Sequence, residues 1–86
     1  MHESRLVAQL IGRVEAEIDP AETRVTHLAL RIGALSSLAS AALRDGVEQH
    51  TVQAWGYAPD IEVERSDVID DPGGLGVTLV SIQVEG

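Results

Sequence analysis

The residues best suited to chemistry stand at the very start of the chain, Met1-His2-Glu3. A free amine on Met1 lies one residue from the His2 imidazole. Together with the deprotonated amide nitrogen of His2, these donors close adjacent small chelate rings in one plane. Ni(II) and Cu(II) favour square-planar sites of this kind, and a further nitrogen or oxygen completes the plane. The amide or the carboxylate of Glu3 is within reach of that position. Because the donors must lose protons to bind, uptake of metal is coupled to pH.

The other reactive side chains form weaker patterns. Ser4, Ser36, Ser37, Ser40, Ser66 and Ser81 sit in no nucleophile-elbow sequence. Gly73 to Gly76 reads GGLG with no helix to follow, so a turn is expected there and not a phosphate cradle. Glu62 and Glu64 alternate along one strand and are expected on one solvated face. His27 falls in mid-strand as a surface or interface histidine. His50 is expected to end a helix, where a cationic imidazole suits the dipole. Trp55 and Tyr57 flank Gly56 and are expected to cover the edge of the core, or else to anchor a partner. Asp67, Asp70 and Asp71 make an acidic turn.

Composition narrows the function classes. The chain has 86 residues, no Cys and a formal net charge of −8, from 14 acids against 6 basic residues. That length fits one domain too small to enclose a large active site. Without Cys there is no disulfide framework, thiolate zinc site or cysteine nucleophile. The charge is the wrong sign for nucleic acid. The acids concentrate late: residues 60–86 carry seven acids and a single Arg. No basic segment leads into an apolar run at the N-terminus, and no apolar stretch approaches the roughly 18 residues of a membrane span. The expectation is a cytoplasmic domain with no membrane or nucleic-acid partner.

Five elements must position these residues. Leu6, Leu10 and Val14, with Val7, Ile11 and Ile18, give an amphipathic helix from about Glu3 to Ile18, stopped by Asp19-Pro20. Arg24 to Ile32 alternates as a strand, with Thr26, Leu28, Leu30 and Ile32 on one face and Val25, His27, Ala29 and Arg31 on the other. Ser36 or Ser37 can cap a second helix that runs to about Gln49 and buries Leu38, Ala42, Leu43, Gly46 and Val47. Ile61 to Arg65 is a short strand with Ile61 and Val63 inward. Asp70 to Gly74, DDPGG, is a turn. Val77 to Val84 is the last strand, with Thr78, Val80, Ile82 and Val84 expected on one face. The order α-β-α-β-β predicts an α+β, two-layer domain. A parallel crossover and an antiparallel return give a three-stranded mixed sheet with both helices on one face.

Taken together, MHE before an amphipathic helix, RVTHLALRIGALS at a strand-Gly-X-Leu-Ser junction, ALRDGVEQ, DIEVE and VSIQVEG resemble the HypA family over nearly the whole chain. HypA proteins are nickel metallochaperones for [NiFe]-hydrogenase maturation and, in some organisms, for urease. The resemblance implies a two-helix, three-stranded nickel domain, with Met1, His2 and Glu3 supplying Ni(II) ligands. It also implies no enzymatic activity of the chain's own, and partners such as the GTPase HypB or the hydrogenase large subunit.

Two departures accompany it. The family inserts a zinc domain with two CxxC pairs between its last two strands. Here residues 68–76 stand in its place without Cys, so no zinc is expected. Many members also carry an acid near the start of the second helix, where this chain reads Ser37-Leu38-Ala39-Ser40. The resemblance therefore supports two readings: a HypA-like nickel carrier, and a HypA-fold interaction module in hydrogenase assembly without functional metal binding. A homodimer, through the open sheet face or an edge strand, is expected from size alone.

Overall fold

The computed structural model describes residues 2–34, 36, 38–66 and 76–85, with α1 at His2–Glu17, β1 at Val25–Ile32, α2 at Ser40–Trp55, β2 at Asp60–Arg65 and β3 at Val77–Val84. The sheet order is β2-β1-β3. β2 runs parallel to β1 and β3 antiparallel to it, which is the mixed sheet that the α-β-α-β-β pattern predicts. The domain is α+β, with the helices packed against the sheet and against each other.

Helix α1 forms because its apolar residues recur at helical spacing. Val7, Leu10, Ile11 and Val14 are all buried. Its last amide bond runs from Ile18 to the Val14 carbonyl, and Asp19 then turns the chain. The Asp19 carboxylate accepts from the Ala21 amide at 3.0 Å, and its carbonyl accepts from Glu22 and Thr23. Opposite α1, the central strand supplies Val25, Leu28, Leu30 and Ile32, and α2 supplies Leu43 and Val47, each at 1% exposure or less. Burial of one such side chain contributes about 1.5–3 kcal/mol. The two edge strands add half-buried Ile61 and Val63 on one side, and Val77, Leu79 and Ile82 on the other.

The faces of β1 and β3 depart from strict alternation. Two register shifts interrupt their pairing, between Val25 and His27 and between Ala29 and Leu30. At the first, Thr26 is the extra residue, so Val25 turns into the core and Thr26 outward; its hydroxyl donates to the Gln83 carbonyl. At the second, Val80 is the extra residue, so Leu79 and Ile82 share the helix side while Val80 is exposed. A bulge moves every residue beyond it to the opposite face, which a period-two reading cannot anticipate.

Helix α2 also differs from expectation at both ends. It starts at Ser40 behind Ala39, which makes no side-chain cap. The Ser36 hydroxyl is instead spent on the Leu38 amide in the preceding turn. The helix continues six residues beyond Gln49 to Trp55, because Thr51 is fully buried and its hydroxyl donates to the Glu48 carbonyl at 2.9 Å. Gly56 ends it in the left-handed region, φ 82°, donating its amide to the Val52 carbonyl.

Residues 67–75, which include Asp67, Asp70, Asp71 and the DDPGG turn, lie outside the described residues. Their flanks are fixed. The Ser66 amide donates to the Ile32 carbonyl, and the Gly33 amide donates to the Gly76 carbonyl, both at 2.8 Å. The end of β2 and the start of β3 are thus pinned on either side of the same end of β1.

Candidate metal site and its surroundings

Met1 and the side chains of His2 and Glu3 lie outside what the structure describes; the backbone of His2 and Glu3 is in the first turn of α1. The first four amides of a helix have no intrahelical acceptor. The amides of His2 and Glu3 are among them, so using either as a metal donor breaks no helical hydrogen bond.

The two helices run in the same direction. Val7 packs on Gly46, whose substitution by a residue with a Cβ would bring that atom 3.2 Å from Val7 Cγ2. Farther along, the Trp55 indole donates to Glu15 at 3.0 Å. This register brings the first turn of α1 level with the first turn of α2. There the sequence Leu38-Ala39-Ser40-Ala41-Ala42 contributes neither carboxylate nor imidazole.

His50 is not at a helix end. It lies mid-way along the second half of α2, in an open groove beside α1 lined by Val7, Asp45, Gly46, Gln49 and Gln53. His27 is on the sheet face opposite the helices, its Nε2 3.9 Å from a Glu62 oxygen. On the same face Arg31 holds Glu64, with Nη2 and Nε at 3.0 and 3.1 Å from one carboxylate oxygen. The carboxylates expected to be merely solvated therefore each reach a basic side chain on β1, Glu64 the directly opposed Arg31 and Glu62 the diagonal His27. These exposed pairs contribute little to stability. His27 and His50 are not brought together, and among the described residues no group of three or more His, Asp or Glu side chains forms a metal cluster.

Trp55 and Tyr57 cover the edge of the core. Their rings are 5.8 Å apart, and the Arg24 guanidinium lies 4.3 Å above the Tyr57 ring. The Tyr57 hydroxyl donates to the Pro20 carbonyl and accepts from the Val25 amide, each at 3.0 Å. It thereby ties the α1–β1 connection to the end of α2.

Sequence reasoning singled out no role for Arg65. Its guanidinium donates to the carbonyls of Ser36, at 2.8 Å, and of Leu38, and reaches that of Gly33. It gathers the junction between β1 and α2, the segment that precedes the first turn of α2. The available signal was its isolation as the only basic residue of the acidic last third.

Comparison with known proteins returns no family model, no curated protein and no solved structure that matches the chain. Among the described residues, no helix is long and apolar enough to cross a membrane.

Proposed function

We propose that this chain is a HypA-like nickel-binding accessory protein that carries Ni(II) at Met1, His2 and Glu3 for [NiFe]-hydrogenase maturation in the cytoplasm. The observation that carries the reading is the start of α1 at His2, which leaves the amides of His2 and Glu3 in the acceptor-free first turn. An amine, an amide nitrogen and an imidazole in sequence suit the planar geometry of Ni(II). The chain acts as a carrier and not as an enzyme. Transfer is ligand exchange: a site at a chain terminus surrenders its metal to a receiver with more donors, such as HypB or the hydrogenase large subunit. No cysteine-bound zinc takes part, since the chain has no Cys.

A second reading, a HypA-fold assembly module without functional metal binding, is favoured by the first turn of α2. That turn, among the described residues, offers no carboxylate or imidazole to strengthen the site. Calorimetric Ni(II) titration of untagged protein decides between the two, with His2→Ala and an N-terminally extended form beside it. Stoichiometric binding with the absorption of planar nickel, lost in both altered forms, is the expected outcome. Equal, weak binding by all three would refute the carrier and leave the module.

A further inference from the structure

We infer that β3 is a self-pairing edge, through which two copies of this chain join into a continuous six-stranded sheet. Among the described residues, the two edges of the sheet are β2 and β3, and they differ in charge. Four of the six residues of β2 are charged, Asp60, Glu62, Glu64 and Arg65. Of the eight residues of β3, none is. Charges and prolines are the usual protection of an edge against pairing, and β3 has neither. Two copies that each carry −8 repel least where they meet along this strand. The helix side of the edge is bordered by Arg13 and Glu17, one charge of each sign. Of the three large apolar side chains most exposed among the described residues, Val52, Val80 and Val84, two belong to β3.

The order of residues selects the occupant. About its midpoint, VTLVSIQV is symmetric in polarity: Val77 matches Val84, Thr78 matches Gln83, and Leu79 matches Ile82. In an antiparallel pair, directly opposed residues share a face. In a regular strand, residues three apart point to opposite faces. The bulge at Val80 changes this. Val77, Leu79 and Ile82 all pack on the helix side, and Val84 is paired with buried Val25. Thr78 and Gln83 are exposed. Two-fold pairing centred between Val80 and Ser81 therefore sets helix-side residues against helix-side residues, and exposed polar against exposed polar.

A bulge disrupts pairing with a regular strand. A second copy brings its own bulge at the same step, so the register is kept on both sides of the axis. The same irregularity that discourages a foreign strand matches an identical one. The resulting assembly has all four helices on one face.

The test uses the untagged full-length chain in sedimentation equilibrium over a wide range of concentration. A dimer is expected, tighter at high salt as the repulsion between two acidic copies is screened. Val80→Lys shifts it to monomer while the far-UV circular dichroism and melting cooperativity show the fold intact. Val52→Lys, on α2, leaves it dimeric. Register is read from oxidation of mixed Thr78→Cys and Gln83→Cys proteins, which form a mixed disulfide faster than either protein alone forms its own. In this register, residue 78 of one copy lies opposite residue 83 of the other, while the two copies of residue 78 are about 17 Å apart along the strands. A monomer up to millimolar concentration refutes the proposal. So does a dimer that Val80→Lys leaves unchanged, and so does the absence of preference for the mixed disulfide. None of these readouts depends on nickel.

Discussion

Gly12 and Gly46 are both interior helix glycines, yet replacement by Ala is expected to have opposite effects at the two positions. In each case Ala removes about 0.8–1 kcal/mol of helix cost, most of it backbone entropy of the unfolded chain. At Gly12 nothing opposes this gain, since an added Cβ meets no atom within 4 Å. Gly12→Ala therefore stabilises by about 1 kcal/mol, or about 4–8 °C in melting temperature for a domain of this size. At Gly46 the added Cβ lies 3.2 Å from Val7 Cγ2. Val7 is 3% exposed and belongs to the core, and a helical Val has essentially one rotamer, so it cannot swing aside. Overpacking of this kind costs about 1–3 kcal/mol. The net effect of Gly46→Ala lies between no gain and a loss of about 2 kcal/mol once the propensity gain is subtracted. Val7→Ala removes the obstructing methyl groups at its own cavity cost of roughly 2 kcal/mol. In that background Gly46→Ala recovers the full helix gain, so the double-mutant cycle reports a favourable coupling of about 1–3 kcal/mol. Urea denaturation at one fixed protein concentration, followed by the fluorescence of the single Trp55, measures all five proteins. A Gly46→Ala midpoint raised as far as that of Gly12→Ala would refute the close helix contact, and with it the register that aligns the two first turns.

Two further expectations concern the elements around the site. Tyr57→Phe keeps the ring against Trp55 but strands the Pro20 carbonyl and the Val25 amide, which costs about 1–3 kcal/mol in a thermal melt; no change in melting temperature would show that water replaces the hydroxyl. Arg65→Lys keeps the charge but loses the fork that reaches several carbonyls, and amide exchange at Ser36 and Leu38 quickens as the β1–α2 junction loosens; unaltered exchange there would assign the ordering to the turn itself.

Element types and their order follow directly from periodicity, because α1 and the central strand bury apolar residues at spacings that fit only one structure. The faces of β1 and β3 were legible only in part. Val25 and Leu28 are three apart in the sequence yet share the core, and so do Leu79 and Ile82, since each pair spans a bulge. Nothing in a single strand marks a bulge; it is a property of two strands in register. Periodicity alone ends α2 near Gln49, and the Thr51 and Val52 that follow are poor helix formers. Burial of Thr51 overrides that preference, and Gly56 was the stop signal to trust. At the candidate site, residue types and spacing are visible in Met1-His2-Glu3. The parallel course of the helices, which sets what stands beside that segment, depends on a contact between Val7 and Gly46, 39 positions apart in the numbering, which the separate helix patterns do not encode.

The pinned flanks of residues 67–75 bear on how such a domain can change over evolution. The Ser66 and Gly76 bonds to the end of β1 hold both strand ends in place whatever joins them. A longer connection then adds little closure entropy, about 0.6 kcal/mol for each doubling of its length. The sheet thus has a socket at one end: a whole folded module can be grafted there, or excised, while the helices and the start of α1 stay as they are. Gain and loss of a neighbouring domain becomes a change in one loop, separable from whatever the N-terminus does.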